Sequence, residues 1–106
     1  MGFKDNNPSV NSTNFPNDKS ISVNVYANRQ LIRVVIPNRI RLIEKNAFVG
    51  NPLVSVTISE NVDVNDEAIP GYFAKAYNNY GKVAGTYTRS NTNSEAWKKM
   101  NRGREP

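Results

Sequence analysis

The sequence predicts a mostly β solenoid of stacked repeats. Parallel strands recur about every 22 residues, short helical or irregular returns join them, and a C-terminal β-hairpin caps the stack. Three observations predict it. Leu31-Ile32-Arg33-Val34-Val35-Ile36-Pro37 returns as Leu53-Val54-Ser55-Val56-Thr57-Ile58-Ser59, so Leu53, Val56, Ile58 and Val62 follow Leu31, Val34, Ile36 and Ile40 by 22. The repeated segments are short and rich in β-branched residues, which suits strands of three or four residues. After Phe73 the repeat gives way to two strand-like runs around the polar turn Ser90-Asn91-Thr92-Asn93-Ser94.

Residues 1–19 hold Pro8, Pro16 and five asparagines, with apolar side chains only at Met1, Phe3, Val10 and Phe15. Such a segment is expected to be disordered or loosely draped. Residues 20–73 carry the array. A half repeat comes first, with Ile21 and Tyr26 preceding Ile43 and Phe48 by 22; a full repeat spans 31–52 and a terminal one 53–73. The terminal repeat has lost a residue near Asp63, because Val64, Ala68 and Ile69 follow Ile43, Ala47 and Phe48 by 21.

Strand alternation points Leu31, Val34 and Ile36 inward, and Arg33, Val35, Ser55 and Thr57 outward. Pro37 ends the first strand because it has no N–H to give to a ladder. Ile40, Ile43, Ala47 and Phe48 line the return path. Successive coils add parallel strands about 4.8 Å apart, and each buries its apolar row only against its neighbour.

Residues 74–106 are expected to form the cap and a basic tail. Tyr72 to Tyr77 reads as a short helix stopped by Asn78-Asn79-Tyr80-Gly81, and residues 83–89 and 95–98 as the hairpin strands. Trp97 is expected near Tyr87 across the hairpin, and residues 100–106 are expected to be mobile. The cap covers a sheet edge that is otherwise an aggregation hazard.

Composition narrows the chemistry. The chain has no cysteine and no histidine, which excludes disulfides, thiolate zinc sites, cysteine nucleophiles and histidine-based triads. No cofactor and no metal is expected. Asp63-x-Asn65-x-Glu67 has the spacing of a calcium loop's start, but Ala68 and Ala74 stand where that loop needs Gly and Glu. No phosphate loop, glycine fingerprint or hydrolase elbow occurs, and a narrow solenoid offers little concave volume, so an enzyme is not expected. No apolar run approaches the ~18 residues of a membrane span. Residues 1–17 lack the hydrophobic stretch of an export signal, which leaves a cytoplasmic location and a trimmed N-terminus open.

The phrase Leu31-x-x-Val34-x-Ile36-Pro37-Asn38-x-Ile40-x-x-Ile43-x-x-x-Ala47-Phe48 resembles the repeat of the BspA-like leucine-rich repeat family of bacterial surface proteins. The stretch from Tyr72-Phe73 through Tyr77-Asn78-Asn79, Gly81-Lys82 and Ala84-Gly85-Thr86-Tyr87-Thr88 to Trp97 is similar to that family's ending. The resemblance covers about residues 20–99. It implies a leucine-rich-repeat solenoid, a secreted or cell-surface location, and adhesion to host or bacterial protein partners; it implies no catalytic residue. Family arrays are generally longer than this one.

The expected function is therefore a non-enzymatic protein-interaction or adhesion module. Its candidate contacts are the outward strand positions Arg33, Val35, Ser55 and Thr57, because solenoids use the sheet face for binding. A charged stripe of Arg39, Arg41, Lys45, Asp63 and Asp66 is a second candidate. Opposite charges there stack as Arg41 on Asp63 and Lys45 on Asp66, which equally suits internal ion pairs of about 1 kcal/mol or less each. Tyr77, Tyr80 and Tyr87 are secondary contact candidates. The net charge of +5 permits nucleic acid, read by the run Lys98, Lys99, Arg102 and Arg104, as an alternative that the dispersed charge argues against. Two further alternatives are self-association through an exposed end and docking on a longer array, since about three repeats are usually needed for stability.

Overall fold

The computed structural model describes residues 19–100 and the backbone of Ser9–Val10. Along the chain run β1 (Ser9–Val10), β2 (Ser20–Ile21), β3 (Arg33–Val35), β4 (Leu42–Ile43), β5 (Ser55–Ile58), β6 (Asp63–Val64), α1 (Phe73–Asn79), β7 (Gly85–Thr88) and β8 (Lys98–Lys99). They form a five-stranded sheet ordered β1-β3-β5-β7-β8 and a three-stranded sheet ordered β2-β4-β6. The rest of the expected disordered segment, the tail arginines Arg102 and Arg104, and the expected mobility beyond Met100 lie outside the described residues.

The period becomes a register. β3 and β5 are parallel, with Arg33 beside Ser55, Val34 beside Val56 and Val35 beside Thr57. Backbone bonds from Val54 N to Ile32 O and from Ile36 N to Thr57 O, both 2.8 Å, extend the ladder past each strand end. In the second sheet Ile21 lies beside Ile43 at an offset of 22, whereas Ile43 lies beside Val64 at 21. The contraction falls after Val62, which still matches Ile40 in burial. The returns are laddered as well: Tyr26 N donates to Ala47 O at 2.9 Å and Phe48 N to Ala68 O at 2.8 Å.

One core fills the space between the sheets. Leu31, Val34, Ile36 and Ile40 are buried, as are Leu53, Val56, Ile58 and Val62 one period later. Tyr26 stacks on Phe48 with ring centroids 5.5 Å apart and planes 13° apart. Left-handed backbone recurs with the repeat: Asn24 and Asn46 have φ of 62° and 60°, and Asn28, Gly50 and Gly71 have 57°, 79° and 79°. Asparagine tolerates this region better than most residues. Gly50 has a second reason to lack a side chain, because a Cβ there meets the Asn28 amide.

The corner between the sheets is held by Asn51, which is 4% exposed. Its Oδ1 accepts from Arg29 N at 2.8 Å and Leu31 N at 3.0 Å, and its Nδ2 donates to Tyr26 O and Phe48 O at 2.8 Å each. All of the amide's hydrogen-bonding directions are therefore used across two coils.

Parallel pairing ends where the ladder reverses. β7 runs antiparallel to β5, with Val56 beside Tyr87 and Thr57 beside Thr86, and β8 pairs antiparallel to β7. Above the last coil, α1 buries Phe73, Ala74 and Tyr77. Phe73 is the hub, 5.8 Å from Tyr77, 5.5 Å from Tyr87 and 5.1 Å from Trp97, the last two edge-on. Trp97 and Tyr87 thus meet through Phe73 rather than across the hairpin, where Lys99 is the residue opposite Tyr87. The Tyr77 hydroxyl donates to Ser59 O at 2.6 Å and accepts from Val62 N at 3.1 Å. Arg89, 7% exposed, donates from Nε to Leu53 O at 2.8 Å and lies 5.0 Å over the Trp97 ring.

At the other edge, Ser9–Val10 lie parallel to β3, with Ser9 beside Arg33. This pair falls within the segment expected to be disordered or loosely draped. The outer edge of β3 offers unpaired backbone groups, and an extended dipeptide of any polar sequence satisfies them.

Two consequences are measurable. Asn51→Ala leaves Leu31 N–H and Phe48 C=O buried without partners, at about 1–3 kcal/mol each, so urea unfolding should report a loss of about 3 kcal/mol; a loss below about 1 kcal/mol contradicts the corner's role. Burial pushes the Tyr87 phenol up to about 12, helped by Tyr77 and Tyr80, and burial also raises Tyr77. The folded chain holds these protons more tightly than the unfolded chain, so their contribution is complete below the usual tyrosine value of about 10 and is lost between about pH 10 and 12. Thermal melts across that range should fall with pH, and Tyr87→Phe should flatten the fall.

Candidate functional site

The two faces of the five-stranded sheet differ completely. Val34, Val56 and Tyr87 occupy the inner face, and alternation sends their neighbours outward. Register sets the outward side chains in two rows. The first runs Arg33, Ser55, Thr88, Lys98, and the second runs Val35, Thr57, Thr86. All four sequence-derived contact residues, Arg33, Val35, Ser55 and Thr57, fall on this one face. Arg33, Val35 and Lys98 are exposed, and the hydroxyl residues between them are half-buried against one another. Thr57 and Thr86 join β5 to the cap through a hydroxyl–hydroxyl bond of 2.8 Å. The hairpin therefore widens the face with Thr86, Thr88 and Lys98, which periodicity alone does not place there because they lie outside the repeat.

This face has a distinct chemistry. Val and Thr are stiff at χ1, so fixing them against a partner costs little conformational entropy. Arg33 and Lys98 are its charges, one toward each edge, and neither forms an ion pair among the described residues. No carboxylate stands in either row. The face therefore offers two separated cations around a field of hydroxyls and one valine.

The charged stripe lies elsewhere. Arg41, Lys45, Asp63 and Asp66 are exposed on or beside the three-stranded sheet, and Arg39 is half-buried ahead of them. Their pairing differs from the aligned order. Asp63 carries a salt bridge to Lys82 at 3.1 Å, and Lys45 reaches Glu67 at 3.5 Å. The one-residue contraction is the reason for the first change: it sets Asp63 beside Leu42 instead of Arg41. Asn65 turns its Oδ1 back to the Glu67 N–H at 2.8 Å, so Asp63-x-Asn65-x-Glu67 closes a turn. Among the described residues no three potential metal ligands gather.

The two described lysines of the basic run lie on different faces. Lys98 lies beside Thr88 on the outer face, whereas Lys99 lies beside Tyr87 and lays its stem over Gly85. Of the secondary aromatic candidates, Tyr77 and Tyr87 are fully buried and belong to the cap's packing, while Tyr80 is 43% exposed. Sequence reasoning passed over Tyr72, the most exposed aromatic residue described at 59%. A tyrosine between Gly71 and a helix start carries no signal of its conformation.

Among the described residues no helix is long and apolar enough to cross a membrane. No family model, curated protein or solved structure matches the chain.

Proposed function

We propose that the chain is a short leucine-rich-repeat solenoid of the BspA-like kind, working at a cell surface as a non-enzymatic interaction or adhesion module. Parallel pairing at offsets of 22 and 21 supports the repeat reading, and so does an antiparallel hairpin on the last strand. The single observation that carries the function is the outer face of the five-stranded sheet. Arg33 and Lys98 stand there without an ion-pair partner among the described residues, around Ser55, Thr57, Thr86, Thr88 and Val35. The partner that fits is a protein surface bearing carboxylates opposite the two cations and a small apolar group opposite Val35. Arginine favours such contacts because its planar fork matches a carboxylate. Splitting of Lys98 and Lys99 between two faces weighs against a nucleic-acid reading, which needs cations in one track.

The test is binding of the immobilised full chain to solubilised host-cell and bacterial surface proteins, followed by substitution. Arg33→Glu and Val35→Glu, both at exposed positions, should each weaken capture about tenfold or more, equivalent to about 1.4 kcal/mol. Arg41→Glu, beside the other sheet, should leave it unchanged. Loss on Arg41→Glu with indifference to Arg33→Glu moves the site to the charged stripe and overturns the proposal. A steep salt dependence with capture of duplex DNA replaces it with the nucleic-acid reading.

A further inference from the structure

The exposed side of α1 carries features that neither the repeat nor the sheet face explains. Two adjoining clefts of about 430 and 460 Å³ share Tyr72, Lys75 and Asn79 as a common wall. The first extends to Tyr80 and Glu95, the second to Asp66. Volumes of this size suit small ligands. The side chains of Lys75, Asn79, Glu95 and Asp66 make no hydrogen bond or ion pair among the described residues.

Tyr72 is anomalous twice over. It is the N-cap of α1, with φ 60° and ψ 37°, and makes no side-chain capping bond. A cap position ordinarily has extended backbone and a Ser, Thr, Asp or Asn side chain. Left-handed backbone is costly for a bulky residue and free for glycine. The repeat does not demand it, since Asn51, 21 residues earlier, is not left-handed. Nor is core packing the reason, because Tyr72 is 59% exposed and touches no other aromatic ring among the described residues. Gln30 and Lys82 share this backbone region at φ 61° and 56°, so what singles out Tyr72 is its exposure together with its place on the wall of both clefts.

We propose that this groove binds a neutral oligosaccharide of at least two sugar rings, with Tyr72 standing between the two subsites and Tyr80 flooring one of them. A pyranose has an apolar C–H face and a rim of hydroxyls that both donate and accept. Exposed tyrosine rings match the face. The Asn79 amide, the Lys75 ammonium and the Glu95 and Asp66 carboxylates supply donors and acceptors for the rim. Tyr80 is held for this role by an edge contact with Tyr87 at 5.6 Å. Charge of both signs lines the groove, which disfavours a strongly charged ligand. A nucleotide chain, which also stacks on aromatics, meets three carboxylates, Asp66, Glu67 (paired with Lys45) and Glu95, and one lysine where it needs cations.

The experiment is an NMR titration of the full chain with cellobiose, lactose and chitobiose, alongside the matching monosaccharides. Saturable shifts are expected at Tyr72, Asn79 and Tyr80, stronger for disaccharides than for monosaccharides. Tyr72→Gly should weaken binding at least about tenfold while the melting temperature stays level or rises, since glycine relieves the left-handed backbone. Tyr72→Phe should keep affinity within about threefold, because the ring face is retained. Arg33→Glu on the sheet face should leave saccharide binding unchanged, which separates this groove from the protein-binding surface. The proposal is overturned if no saccharide shifts these residues, if Tyr72→Gly binds as tightly as the parent chain, or if oligolysine fills the groove while saccharides do not.

Discussion

Four hydrogen bonds from the Asn51 amide tie two successive coils at the point where the chain turns from one sheet to the other. Parallel strands cannot be joined by a tight hairpin, so each coil must change direction and expose backbone groups that neither sheet can pair. A buried corner with those groups unmet is costly. Asn51 resolves this with one side chain, because an amide carries two donors and acceptor capacity for two more bonds. Once the corner is fixed, Leu31 and Leu53 lie in equivalent positions, and the alternation along β3 and β5 settles which side chains reach the core. The outward placement of Arg33, Val35, Ser55 and Thr57 is a downstream consequence.

The last coil has no successor and needs a different solution. An antiparallel strand takes the edge of β5, which stops further parallel addition. The apolar end of the stack is met by Phe73, Tyr77, Tyr87 and Trp97, whose edge-on contacts suit the quadrupoles of the rings. Carbonyls near the final corner receive donors from the cap: Arg89 Nε reaches Leu53 O and Trp97 Nε1 reaches Pro70 O. Arg89 remains a cation although burial lowers its pKa, because guanidinium starts so far above neutrality. Gly71 is required here, since a Cβ at that position runs into the Arg89 guanidinium and the Trp97 indole.

The sequence was most legible where it repeated. An offset of 22 translates into Arg33 beside Ser55, and a missing residue into Ile43 beside Val64, because identical backbone paths must stack to share their hydrogen bonds. Inward and outward faces followed from alternation. Features outside the period were not readable in this way. Asn51 was one of seventeen asparagines, and only the three-dimensional corner distinguishes it from those in turns. Ion pairs were misassigned because long exposed side chains reach past their aligned neighbours: Lys45 meets Glu67 rather than Asp66. The aromatic cluster was visible as composition, but its hub at Phe73 depends on how α1 lies on the final coil.

That contrast bears on the two surfaces proposed for recognition. Inside the array a side chain answers to neighbours above and below, so an outward position on β3 must also suit β5 beside it. Hydroxyls and valine meet that demand, and Thr57 and Thr86 bond to each other for the same reason. The result is a broad, stiff face, which is why we propose it as the protein-binding surface. Residues of α1 face no such demand from a following coil. Lys75 and Asn79, with the flanking residues Tyr72 and Tyr80, are exposed there, and the chain tolerates a left-handed tyrosine and polar groups without a partner among the described residues. A concave, mixed-polarity groove beside α1 and a flatter face along the strands are therefore the two kinds of surface that this small two-sheet domain presents.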